Sequence, residues 1–146
     1  YVKLAGNDAY PDAFISRISC QNAASVDYVA KKFIKFERDI EFGASWYTKG
    51  TGIGGPDVGG SPPYADSIRM NWVRDTLMAH GFTQVDKVNG PVATPQTLIN
   101  SLNDGRYVLN YIGHGSGTSW SNTGFSVSNA YPFASSSSIA PQLHIS

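Results

Sequence analysis

Apolar residues in this chain recur with two periods, and the changes between them mark out its elements. Val26, Val29, Phe33, Phe36 and Ile40 follow one another at spacings of 3, 4, 3 and 4 residues, which predicts an amphipathic helix over 25–42. Ser25 stands where an N-cap belongs, and Lys31, Lys32, Lys35, Glu37 and Arg38 fall elsewhere around the helix. A second helix is predicted over 65–80, with Ile68, Trp72 and Leu77 near one face, His80 in its last turn and Gly81 placed to end it. Thr94 and Pro95 open a third, as N-cap and first helical residue, which runs to about Asn103 and stops at Gly105. β-rich runs predict strands over 13–18, 82–88 and 107–112, and over 143–146 at the end of the chain. Residues 43–63 carry seven glycines and three prolines with no apolar period, which predicts a long loop. Ser135 to Ser138 read as a solvated turn. Strands alternating with helices predict an α/β sandwich with a mostly parallel sheet.

Composition narrows the function classes. A chain of 146 residues has the size of one ordinary domain. Its eleven basic and eleven acidic residues cancel to zero net charge, so no general field draws it to nucleic acid or an anionic membrane. No apolar run reaches the roughly 20 residues a membrane span needs. One cysteine, Cys20, excludes an internal disulfide and a multi-cysteine zinc site. Abundant Ser, Gly, Asn and Tyr lean towards a secreted protein. The start at Tyr1 without methionine and the end on Leu143-His144-Ile145-Ser146 lead us to expect a fragment of a larger protein.

Candidate chemistry gathers at one strand end. His114 lies between two glycines just after the apolar run 107–112, and the carboxyl ends of strands are where α/β sheets collect reacting groups. Bare neighbours leave an imidazole open for general acid or base work. Two other features read as decoys. Gly50, Gly52 and Gly55 satisfy G-x-G-x-x-G literally, but no apolar strand precedes them and Pro56 follows where a helix should open. His80 and His144 read as a helix-end residue and a strand residue.

The stretch Val108-Leu109-Asn110-Tyr111-Ile112-Gly113-His114-Gly115-Ser116, continued by Thr118-Ser119-Trp120, resembles the catalytic-histidine segment of gingipain-type cysteine endopeptidases, secreted bacterial relatives of the caspase and legumain clan. Ala5 to Tyr10, Phe14 to Cys20, Phe36 to Ile40 and Gly54-Gly55-Pro56 are similar to the family in the same order. The resemblance covers nearly the whole chain. It implies a caspase-like three-layer α/β/α sandwich, with residues 1–146 as the central part of the catalytic domain, incomplete at both ends.

It also implies an activity, peptide-bond hydrolysis through a thioester, with His114 moving the proton and the Gly115 N–H helping to bind the oxyanion. The nucleophilic cysteine of the Cys/His dyad is then expected just beyond Ser146, and Cys20 reads as a structural thiol. Asp66 matches the carboxylate of the primary specificity pocket in arginine-specific members, which favours Arg or Lys before the scissile bond; as a plain structural alternative it complements its helix dipole. Trp120 falls among the substrate-binding residues. Asp8 and Asp12, with carbonyls of Ala5 and Tyr10, match a calcium-binding loop and suit Ca²⁺, the alternative being an Asx-turn. Ile53 stands where arginine-specific members carry a glutamate that orients the imidazole. Protein or peptide substrates, further domains of the parent chain and an extracellular or cell-surface location follow from the same resemblance. Two rivals remain: a catalytically inactive peptidase-like module for secretion, adhesion or assembly, and a phosphate-binding α/β domain using the loop 113–117.

Overall fold

Glycines at alternate positions build the centre of the sheet. The computed structural model describes residues 3–8, 10, 12, 13, 15 and 18–130, together with the backbone of 144 and 145. In β1 (Lys49–Gly54) the glycines at 50, 52 and 54 face one way and Thr51 and Ile53 the other. A Cβ on Gly52 would stand 2.6 Å from Met70 Cγ, and one on Gly54 would stand 2.7 Å from the backbone of Ser67. Only glycine therefore lets the helix α2 (Asp66–Ala79) lie this close to the strand. This corrects the expected long loop over 43–63, which holds a 3₁₀ turn (Ser45–Thr48), β1 and the strand β2 (Val58–Gly59). The glycines erased the alternation by which a strand is recognised.

On the opposite face of β1, Ile53 packs with Val88, Leu98, Leu109 and Phe125 in a buried cluster. Leu98 comes from α3 (Pro95–Asn103), so helices cover both faces of the sheet. Thr94 caps α3 by accepting the N–H of Thr97 at 3.2 Å, and Gly105 adopts a φ of 82° after its end, as expected. Gly81, with a φ of 97°, ends α2, and His80 is its C-cap. The buried side of α2 is carried by Met70, whereas Ile68 and Trp72 are exposed. That corrects the expected face, and its cause is the glycine groove in β1 into which Met70 fits.

The sheet runs in the order β4-β1-β5-β6, with β4 (Gln84–Val88), β5 (Val108–Ile112) and β6 (His144–Ile145). Every neighbouring pair in it is parallel. All described strands of this sheet therefore end on the same side. β2 and β3 (Tyr64–Ala65) form a separate antiparallel hairpin between β1 and α2. The α/β sandwich with a mostly parallel sheet is what the chain forms.

Helix α1 (Ala23–Arg38) starts and ends earlier than the apolar spacing suggested. Asn22, not Ser25, is the cap: its Oδ1 accepts the Ser25 N–H at 2.9 Å. Among the described residues α1 buries no side chain fully, and Val26 and Phe33 remain exposed. Phe36 is the point of attachment, with its ring 6.1 Å from Trp46 and 6.0 Å from Tyr107. Of the strand expected over 13–18, the described Ala13, Ile15 and Ile18 carry no strand, and Phe14, Ser16 and Arg17 lie outside the described residues. Ser135 to Ser138 and the His144 side chain also lie outside them.

Beneath the amino half of the sheet sits an ion network. Arg106 is 3% exposed and donates to Asp86 Oδ2 through Nε at 3.0 Å and Nη2 at 2.6 Å, and to Asp104 through Nη1 at 2.7 Å. Thr51 and Ser101 hydroxyls donate to the same Asp86 oxygen, and Lys49 Nζ reaches Asp104 at 3.1 Å. A buried guanidinium is tolerable only when paired in this way.

Candidate active site

β5 ends at Ile112, and the chain turns through Gly113, His114 and Gly115 at the carboxyl edge of the sheet. The His114 side chain is exposed, and among the described residues none hydrogen-bonds its imidazole. Its backbone, by contrast, is fixed. The His114 carbonyl accepts hydrogen bonds from Tyr111 Oη and from the Ser121 N–H at 2.9 Å. Ser116 closes the turn: its N–H donates to the Ser119 carbonyl at 2.8 Å, while its Oγ accepts the N–H groups of Thr118 and Ser119.

Gly115 faces Trp120 across an isolated antiparallel bridge. The hydrogen bonds of that bridge flank the pair, so the Gly115 N–H points away from it. No described residue accepts that N–H. It is a donor left open two peptide planes from the strand end. Trp120 stacks on Tyr111 at 4.7 Å with an interplanar angle of 13°, and its other neighbour is Phe125. The ring thus ties the turn to Tyr111 and to the core at Phe125. A phosphate loop would pass into a helix N-terminus; residues 115–126 instead form bridges, Gly115 with Trp120 and Ser119 with Ser126.

Asp66 occupies the first turn of α2, against the carboxyl end of β1. Its N–H donates to the Asp57 carbonyl at 2.9 Å, and the Ser67 N–H donates to the Gly55 carbonyl at 3.0 Å. Since Gly54 pairs with Ile112, Asp66 and His114 stand at the ends of adjacent strands. Asp57, exposed and directly after Gly54-Gly55-Pro56, adds a second carboxylate at the same edge, which the sequence reading passed over inside its supposed loop.

Asn122 was also unforeseen. Its Nδ2 donates to the Ile112 carbonyl at 3.1 Å, and its amide fills the space beside two glycines. A Cβ on Gly55 would stand 2.7 Å from both amide heavy atoms, and one on Gly113 would overlap Nδ2. Nothing local in the sequence signals this contact, because residues 55, 113 and 122 meet only in the folded sheet.

Ile53 is fully buried in the core cluster on the α3 side. Its apolar character answers to packing against Val88, Leu98, Leu109 and Phe125. The three glycines of the G-x-G-x-x-G match lie in and just after β1, where they admit α2 and Asn122. Cys20 is half-buried and free.

In the loop at 5–12, Asp12 Oδ2 accepts the N–H groups of Leu4 at 2.5 Å and Ala5 at 2.9 Å. These bonds, Ala5's first, hold the Asp12 carboxyl below the ordinary carboxylate range. Asp8 Oδ1 accepts the Tyr10 N–H at 2.9 Å, an Asx-turn. Each carboxylate keeps a second oxygen that no described residue engages, and such hard donors fit Ca²⁺. Among the described residues no group of three or more His, Cys, Asp or Glu could hold a metal, and no helix is long and apolar enough to cross a membrane.

The sequence profile of a family described as Peptidase family C25 matches residues 1–140. The chain is 28% identical over 141 residues to Gingipain R2 and to Gingipain R1 of Porphyromonas gingivalis, covering 95% of itself. It spans only 19% and 14% of their respective lengths. Its fold is similar to the crystal structure of the Arg specific cysteine proteinase gingipain R, with a TM-score of 0.77 and 29% identity over 88% of this chain and 30% of that one. The complex of the RgpB pro- and mature domains from the same organism matches with a TM-score of 0.76, at 29% identity over 88% of this chain and 31% of that one. The sandwich described above is thus the caspase-like α/β fold.

Proposed function

Since the chain belongs to peptidase family C25, we propose that it forms the histidine-bearing part of a cysteine endopeptidase that cleaves after basic residues, arginine foremost. One observation carries the reading: His114 stands exposed on a rigid turn at the carboxyl end of β5, with a parallel strand alongside. β6 pairs Val108 with His144 and Leu109 with Ile145. A strand keeping that register would come level with Ile112 about three residues on, one step short of the histidine turn. The nucleophilic cysteine of this reading stands there, just beyond Ser146.

His114 takes the thiol proton as sulfur attacks the peptide carbonyl, then gives it to the leaving amine as the acyl-enzyme thioester forms. In the second half it accepts a proton from water, which releases the acid and restores the thiol. The Gly115 N–H meets the negative oxygen of each tetrahedral intermediate, an interaction of the kind worth ~3–4 kcal/mol. Asp66 offers its carboxylate to the guanidinium of the residue before the scissile bond, and Trp120, across the turn from Gly115, is the apolar wall beside it. Asp8 and Asp12 with the carbonyls of Ala5 and Tyr10 would hold Ca²⁺, whose charge would brace the 5–12 loop. In this reading the enzyme works outside the cell on protein substrates, together with further domains of its parent chain.

The test uses peptides identical except for Arg, Lys or Ala before a reporter bond, given to the parent protein and to His114→Ala, each with and without a calcium chelator. Cleavage is expected for Arg, weaker for Lys and absent for Ala, with a loss of at least ~10³-fold in the variant. Chelation is expected to lower the melting temperature. Undiminished cleavage by His114→Ala would overturn the reading, and inactivity of the unmodified parent towards every peptide would favour the non-enzymatic module.

A further inference from the structure

We propose that Asn122 is a positioning residue for His114, a wedge that holds the carboxyl ends of β1 and β5 at the spacing the histidine turn requires. The proposal rests on the peptidase reading for its consequence, but its geometry is independent of it.

Three contacts converge on one amide. Nδ2 is hydrogen-bonded to the carbonyl of Ile112, the last residue of β5. The same group lies where a side chain on Gly113 would begin, and the whole amide lies where one on Gly55 would begin. Gly55 follows β1 and Gly113 follows β5 immediately, so the wedge sits where the two paired strands stop holding each other. Beyond Gly54↔Ile112 no described strand pairing joins them, and the Asn122 amide, hydrogen-bonded to β5 and packed beside Gly55, fills the space between. Its neighbour Ser121 donates to the His114 carbonyl at 2.9 Å. One short segment thus grips the residues on both sides of Gly113.

A proton-transfer group misplaced by about 1 Å loses much of its efficiency, because reacting atoms must start near 3–3.5 Å apart. The imidazole has no described partner of its own, so its location follows from the backbone beneath it. Shortening Asn122 leaves Gly113 free to move towards Gly55. Enlarging Gly55 pushes the amide from the other side. Both changes should shift the histidine by displacing the same wedge.

The experiment compares Asn122→Ala, Gly55→Ala and the double variant in the parent protein. Rates are normalised to active sites titrated with an irreversible thiol reagent. Each single variant is expected to lower kcat per titrated site by about 10–100-fold, with KM within about threefold. The double variant should be no slower than the worse single one, because the new methyl occupies space the amide has left. A purely structural role would instead reduce the number of titratable sites and leave kcat and its pH profile unchanged, which would overturn the proposal. Hydrogen exchange at the Ser121 amide supplies a readout that needs no activity. It should accelerate at least about tenfold in Asn122→Ala while Leu109 is unaltered. Unchanged Ser121 exchange would overturn the positioning claim even in an active enzyme. Accelerated exchange in a parent that cleaves nothing would uphold it while the peptidase reading fell.

Discussion

The two ends of the sheet are built from opposite materials. Under the amino half, Arg106, Asp86, Asp104 and Lys49 pair with one another, and the rings of Phe36, Trp46, Tyr47, Phe82 and Tyr107 cluster with one another. Polar groups of that network are committed to protein partners. At the carboxyl end, glycines follow both strands at 54, 55, 113 and 115, the His114 imidazole and the Gly115 N–H have no described partner, and the exposed Asp57 and half-buried Asp66 lie at the edge. Groups free to act on a substrate are groups that contribute little to folding. On the proposed reading, the ion network anchors the end away from the chemistry and the other end keeps donors and acceptors open for a substrate.

The strongest way to break this division is to strike the amino end. Arg106→Ala strands Asp86 without its cation and leaves Asp104 with Lys49 alone. Removing one partner of a fully buried pair costs about 3–5 kcal/mol. Asp86 keeps 26% of its side-chain exposure, so water partly compensates and about 2–3 kcal/mol is expected. Urea unfolding measures it. If the two ends are separate in function, kcat per titrated site stays within about twofold. A kcat that falls with stability would show that the network also sets the active edge.

Gly54→Ala, at the carboxyl edge, should give the reverse balance. The added methyl meets the Ser67 backbone at 2.7 Å, a neighbour that cannot rotate away, so the start of α2 must shift. Overpacking of this kind costs about 1–2 kcal/mol, less than the loss of Arg106. Asp66 moves with Ser67, and the preference for Arg over Ala before the scissile bond should drop by tenfold or more. Retained preference with lowered stability would remove Asp66 from the specificity pocket and direct attention to Asp57, which is tested by the same peptides with Asp57→Asn.

The same contrast governs how much could be read from residues alone. α3 was legible to its ends because Thr94, Pro95 and Gly105 carry its start and stop in local chemistry. His114 was legible as well, since an apolar strand running into Gly-His-Gly announces a bare strand end whatever surrounds it. β1 was not, although it is an inner strand of the sheet, because half of its positions are glycines, two of which admit Met70 and Ser67 from elsewhere. Asn122 escaped notice for a related reason. Its role is defined by two glycines brought to it by strand pairing, and no spacing in the chain records that meeting. The helix α1 shows the limit from the other side: its apolar period is real, yet its exposed Val26 and Phe33 demonstrate that periodicity predicts a helix and not what covers it.

Acid offers the finest probe of the two ends, with the smallest expected effect. Burial tends to raise the Asp86 carboxyl, but hydrogen bonds from Gln84, Arg106 and Ser101 and the Arg106 charge outweigh it and hold the group below its ordinary 3.8. Hydrogen bonds from Arg106 and then Lys49 hold Asp104 below the same value. A carboxyl lowered in the folded state binds its proton more weakly there than in the unfolded chain, so its stabilisation is complete above about pH 4 and fades as pH falls through the folded value. The urea midpoint should therefore be flat on account of these groups above about pH 4 and slope downward below it. In Arg106→Ala that slope should shrink, since the cation that lowers both carboxyls is gone. His114→Ala should leave the slope as it is, because among the described residues the histidine belongs to no ion pair. Equal slopes in the parent and Arg106→Ala would mean that acid sensitivity resides elsewhere, with the Asp12 bonds to Ala5 and Leu4 next in line, and the amino end would lose its claim to be the anchored one.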